Sequence, residues 1–253
     1  MLQVEPEPSP DRDGESGRDN DLTDDKDFAA RIFSLPFKNT DLDPLKGFGF
    51  GIAGTYGHQN GESLSGLAYK TAGRSTYFSY NSDAKVVSRG DHWRVDPQLY
   101  YYFGAFGLMG EYAISHQTVE GTAGGAARAD YDVNAWFLQA SYVLTGEDNT
   151  YKSVTPINNF DPRQGRWGAF EIGARVANTD LNNDPFETKV TTFTLAKGTT
   201  NAWAYTLGTN WYFNKNFKFQ LNYERTDFAG APAFSGKKKD HEDVLLGRFQ
   251  VSF

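Results

Sequence analysis

The 253-residue chain contains no cysteine, so it can build neither a disulfide framework nor a thiolate metal site. It is also short of long apolar runs. Only 39% of its residues are hydrophobic, and nowhere do the roughly 20 consecutive apolar residues of a membrane-spanning helix occur. That shortage leaves a membrane open, because a spanning β-strand needs only about 9–11 residues with alternate ones apolar. No secretory signal is visible at the start, where Met1-Leu2-Gln3-Val4 runs straight into Glu5-Pro6-Glu7-Pro8. There is no basic excess, so nothing marks a nucleic-acid partner. The four histidines, at 58, 92, 116 and 241, lack the paired spacing of a metal site and read as loop residues.

Aromatics and glycine are plentiful: 20 Phe, 14 Tyr, 5 Trp and 26 Gly. Such a supply suits aromatic girdles at a membrane interface and tightly curved strands. Charge is unevenly placed. Residues 1–27 hold ten of the 32 acidic residues and three of the 25 basic ones, so 22 of each remain in the body. The global charge of −7 therefore belongs to one segment. Residues 1–25, rich in Pro, Asp and Ser without periodicity, read as an acidic flexible segment.

Beyond it, apolar and polar residues alternate in nine stretches: 28–37, 48–57, 93–103, 106–115, 131–144, 169–178, 202–213, 217–226 and a terminal one closing on Leu245, Gly247, Phe249, Val251 and Phe253. In the second, Phe48, Phe50, Ile52 and Tyr56 share one face and Gly49, Gly51, Ala53 and Thr55 the other. A soluble β-sandwich also alternates. Connector lengths tilt the choice toward a membrane barrel, since the links at 103–106 and 213–217 are tight, whereas 59–91, 179–200 and 229–240 are long. Short turns at one rim and long loops at the other are the outer-membrane arrangement. The connection at 145–166 breaks that rule. The fold expected is all-β, an antiparallel transmembrane barrel with about nine strands present. Bacterial single-chain barrels have even strand numbers, so the odd count implies that further strands complete it.

Several strings together resemble the C-terminal part of the phosphate-selective porin O/P family: KDFAARIFSLPF (26–37), GFGFGIAGTYG (47–57), YVLTGE (142–147), WGAFEIGAR (167–175), LGTNWY (207–212) and LGRFQVSF (246–253). The resemblance covers 26–253. It implies a sixteen-stranded barrel in the bacterial outer membrane, in contact with lipid, assembled as a homotrimer and passing small anions such as phosphate. Residues 1–25 would then be an extracellular loop of a longer chain and 26–253 the porin barrel portion. No enzymatic activity and no cofactor is implied. A structural or adhesive barrel with a plugged lumen is the alternative, as is a truncated porin fragment that never closes.

Gly49-x-Gly51-x-x-Gly54 fits a dinucleotide fingerprint, but it lies inside a strand with no helix following. Its alternate glycines are better suited to a lumen wall with little side-chain bulk. Arg31, Arg94, Glu111, Glu171, Arg175, Lys218, Glu224 and Arg248 fall on inward positions. They form either a bracing network of ion pairs or an unbalanced field for a passing ion. Glu171 and Arg175, about 13 Å apart along one strand, must pair across strands rather than with each other. From the resemblance, a long loop folds inward to narrow the pore, which makes Lys70, Arg74, Tyr77, Tyr80, Lys85 and Arg89 the constriction candidates. The resemblance likewise puts cations near the periplasmic exit, here Lys152, Arg163 and Arg166. Two of these three are arginine and Asp161 intervenes, a departure from the family's lysines that bears on phosphate selectivity.

Overall fold

The computed structural model describes residues 26–229, 233–234 and 237–252. The acidic 1–25 segment and the terminal Phe253 lie outside the described residues. In chain order the strands are β1 (Asp27–Ser34), β2 (Phe48–Ser63), β3 (Ala68–Lys70), β4 (Thr76–Tyr80), β5 (Val86–Phe103), β6 (Phe106–Gly121), β7 (Ala127–Val143) and β8 (Ala169–Leu181). They continue with β9 (Lys189–Val190), β10 (Phe193–Thr194), β11 (Ala196–Gly198), β12 (Asn201–Tyr212), β13 (Phe217–Ala229), β14 (Ala233–Phe234), β15 (Lys237–Lys238) and β16 (His241–Val251). Nine of them make one antiparallel sheet in the order β1-β2-β5-β6-β7-β8-β12-β13-β16. These are the nine alternating stretches of the sequence. A single continuous sheet is not a two-sheet sandwich. It does not close on itself, for β1 and β16 are its two edges.

Burial in this sheet is inverted relative to a water-soluble protein. Along β13 the even positions Lys218, Gln220, Asn222, Glu224 and Thr226 are buried, whereas Phe219, Leu221 and Tyr223 face outward. The outer face carries Ile32 (72% exposed), Leu207 (64%) and Phe249 (68%). Leaving each such side chain in water forgoes roughly 1.5–3 kcal/mol, and more than a dozen are exposed on these strands. Water is therefore the wrong solvent for this face. The outward apolar run of β2, Phe48 to Tyr56, covers eight residue steps, about 27 Å along the strand. At a tilt of about 40° that is roughly 20 Å of height, near the ~25 Å band of a membrane barrel. Rings cluster at the band's two margins: Trp136 against Trp203 at one, and Trp211 with Phe170 and Phe213 at the other.

Local sequence explains the turns at the short-turn rim. Gly104 takes a positive φ of 52° in the β5–β6 hairpin, a conformation that costs glycine little. Between β12 and β13 the Asn214 side chain accepts hydrogen bonds from the amides of Asn216 (2.8 Å) and Phe217 (2.9 Å). At the opposite rim β2, β5 and β6 run beyond the aromatic margin. There their outward residues turn polar, as at His58, Asp91 and His116.

The β2–β5 connection, residues 64–85, leaves the rim and lies over the inner face as a strap. Its β4 pairs with β3 on one side and on the other with β11, from the β8–β12 connection. An apolar cluster fills the space between strap and wall, including Phe78, Tyr80, Val119, Tyr131 and Leu195. Phe228 of β13 meets Tyr77 (centroids 6.2 Å), and Glu242 of β16 accepts a hydrogen bond from the Ser75 hydroxyl. In a flat sheet β5 and β16 would stand six strand spacings apart, about 29 Å. Contacts from one short strap to both sides show that the sheet curls around it.

Candidate functional site

The alternation that sends apolar side chains outward brings the charged ones onto the concave inner face. At mid-height the strand register lines them up across the sheet. Arg31 shares a row with Asp96, Gln98 with Glu111 and Phe137, and Arg175 with Thr206 and Glu224. Arg31 donates to the Gln98 carbonyl oxygen (2.7 Å), and the Gln98 amide donates to Asp96 (2.7 Å). The Arg175 guanidinium lies 4.2 Å from the Phe137 ring centroid, with Glu111 and Glu224 as its charged neighbours. Thr206 donates to Glu224 at 2.8 Å. Acids and bases thus face one another across the wall at this height, linked through Gln98 and Thr206 and by through-space charge.

Lower down, Glu171 is 1% exposed and accepts from the Asn210 amide (2.7 Å) and the Tyr212 hydroxyl (2.7 Å). Asn210 in turn accepts from the Gln220 amide at 2.8 Å. Lys218 stands 5.7 Å from the Tyr212 ring centroid, and Arg248 occupies the register position beside Gln220 on the edge strand. The 145–166 connection tucks into this end. Asn149 is buried against Ser141 (2.8 Å), and Val154 packs with Val143, Ala169 and Tyr212. A rim connector longer than a turn therefore has a job here: it fills the base of the wall.

A family model described as phosphate-selective porin O and P matches residues 55–253. The chain belongs to that family. It is also 26% identical over 204 residues to Porin O of Pseudomonas aeruginosa, an alignment covering 80% of this chain and 43% of the relative. The chain thus spans less than half the length of the curated relative it matches. In this porin-family chain the sequence-derived site residues divide by place. Lys70, Arg74 and Lys85 are exposed on the strap, Arg74 and Lys85 in left-handed backbone (φ 65° and 49°). Tyr77 and Tyr80 instead point into the apolar cluster beneath it, at 8% and 6% exposure. Burial pushes the Tyr77 hydroxyl up to about 12 and the Tyr80 hydroxyl well above its ordinary value.

Arg89 lies apart from the strap, on the outer face of β5. Its register partner is Thr118, and it bonds Asn60 and the Glu120 carboxylate (3.4 Å). Arg94 faces inward beside the strap, close enough that its charge acts on Tyr69 and Tyr80. Lys152, Arg163 and Arg166 are exposed at the short-turn rim, and the Asp161 carboxylate accepts from the Arg163 amide at 3.0 Å.

Two features were missed in the sequence. All four histidines lie in strands rather than loops, each beside an aspartate: His58–Asp91 (2.8 Å), His92–Asp27 (3.0 Å), His116–Asp132 (2.5 Å) and His241–Asp243 (3.4 Å). Only the His241–Asp243 spacing, i and i+2 on one strand face, could have been read from the sequence. The second is the fate of the lumen glycines. A Cβ at Gly49 would stand 2.8 Å from the Tyr100 ring, and one at Gly51 2.7 Å from the Phe33 ring. These glycines seat aromatic rings instead of leaving the wall bare.

Proposed function

We propose that this chain forms part of the wall of an outer-membrane porin, a water-filled β-barrel through which small anions, phosphate among them, diffuse passively. The observation that carries the reading is the inverted sheet, with buried carboxamides, hydroxyls and paired charges on the inside and exposed Phe, Leu, Ile and Tyr on the outside. Membership of the porin family supports it. In this reading the nine strands belong to a sixteen-stranded barrel that assembles as a homotrimer. The protein is a channel, not an enzyme.

Anion preference rests on exposed cations: Lys70 and Lys85 on the strap, and Lys152, Arg163 and Arg166 at the other rim. The mid-height charges bear on it less, because each base there has an acidic neighbour. Reversal potentials across a planar bilayer in a potassium chloride gradient test the claim. A positive outcome is a shift toward the chloride potential; clear cation preference overturns it.

One observation favours the rival reading of a structural barrel with a blocked lumen. The strap and its apolar cluster occupy the inner face from β5 to β13. That reading expects no conductance from reconstituted protein.

A further inference from the structure

Between the mid-height row and the short-turn rim, a cavity of about 360 Å³ lies against the inner face of β1, β5 and β6. Phe33, Tyr100 and Tyr151 line it together with Arg31, Gln98 and Glu111. The rings form one patch. Phe33 and Tyr100 are stacked at 5.2 Å with 23° between planes, and Tyr100 meets Tyr151 at 5.3 Å. Gly49 and Gly51 lie behind them with no side chain to push the rings off the wall.

The polar edge of the cavity has mixed character. Arg31 offers guanidinium N–H groups, and Gln98 both donates and accepts. The Glu111 carboxylate bonds no other described side chain and senses Asp96, Arg31 and Arg175 only through charge. A small inorganic anion has no face to lay on a ring, and Glu111 and Asp96 would repel it. A purely apolar solute would cover the Glu111 carboxylate without giving it a hydrogen bond. A pyranose ring meets both demands, because its axial C–H groups make an apolar face and its hydroxyls donate and accept around the edge.

We infer that this cavity is a sugar-binding subsite, in which a neutral pyranose stacks on the Tyr100–Phe33 patch while Arg31, Gln98 and Glu111 hold its hydroxyls. The inference rests on the channel reading, since it gives that lumen a second class of solute. Arg31 donates to a ring hydroxyl while keeping its bond to Gln98, and Glu111 accepts from another. The volume is of the size that small-molecule sites require.

The test uses maltotriose, a linear trimer of glucose, with inorganic phosphate as the comparison. Saturation-transfer NMR on detergent-solubilised protein reads contact between the sugar's ring protons and aromatic side chains. Current through planar bilayers reads block by the same sugar. Transfer to the sugar with saturable block is expected. Tyr100→Ala should weaken half-saturation about tenfold, the scale of one lost ring contact. Phe33→Leu and Glu111→Gln, which keep the cavity filled, should each weaken it about threefold. Heat-dependent gel mobility identifies the variants that fold. No transfer from the unaltered protein overturns the subsite, as does binding unchanged in both Phe33→Leu and Glu111→Gln. Conductance without sugar contact leaves the channel and removes the subsite. Sugar contact that depends on Tyr100, without conductance, does the reverse.

Discussion

Phe78 should act as the pin that keeps the strap against the inner face of the sheet. Its ring is 1% exposed and touches four others: Tyr131 of the wall at 5.1 Å, Tyr69 at 5.0 Å, Tyr80 at 5.2 Å and Phe186 at 5.8 Å. Truncating a buried Phe to Ala costs about 3–5 kcal/mol. Here the loss falls on docking, because the ladders of the wall strands do not pass through this side chain. At about 1.4 kcal/mol per decade, Phe78→Ala raises the undocked population by roughly two to three and a half orders of magnitude. Trypsin added to reconstituted vesicles reports it, since Lys70 and Arg74 lie within the strap. Cleavage there should accelerate while unheated protein still migrates as a folded barrel, and single-channel current should become larger and noisier. Unchanged protection in the folded variant would refute the argument that packing beneath Phe78 seats the strap. Loss of the folded band would show instead that strap and wall melt as one unit.

Gly198 has φ of 118°, and a Cβ there would stand 2.1 Å from the Tyr77 carbonyl oxygen, so Gly198→Ala should break the β11–β4 pairing and give the same trypsin phenotype. Glu171→Ala strips the shared acceptor from Asn210 and Tyr212; at about 1–3 kcal/mol per orphaned buried donor, the temperature of conversion from folded to unfolded gel band should fall. Strap docking should also depend on pH. The buried Tyr77 hydroxyl is raised to about 12, above the ordinary value near 10, so its neutral form is favoured when docked. Docking is thus at full strength below about pH 10 and weakens as pH rises toward 12. Proteolysis across that window should accelerate, and Tyr77→Phe should remove part of the rise.

The wall was legible in the sequence because one apolar face and one polar face impose a strict two-residue period on its strands. Glu171 and Arg175 share one face of β8 by the same parity. The upper parts of β2, β5 and β6 were not legible, because above the aromatic margin the outward face turns polar and the period fades at His58, Asp91 and His116. Arg89 was grouped with the strap for the same reason, although it belongs to a strand that had stopped alternating. Tyr77 and Tyr80 read as pore residues because nothing local reveals that Val119, Tyr131 and Leu195 wait to cover them. The glycines of β2 suggested an empty wall; their partners Phe33 and Tyr100 come from other strands.

The two flanks of β4 set an order of events. Its pairing with β3 is local and can form with the β2–β5 hairpin. Its pairing with β11 joins segments far apart in the chain; nearby, Asn81 bonds the carbonyl oxygen of Thr194, 113 positions later. Closing so long a loop is slow and must await β7 and β8 between them. Assembly of this protein therefore seats the strap late, and a chain caught partway still has the inner face of its sheet uncovered.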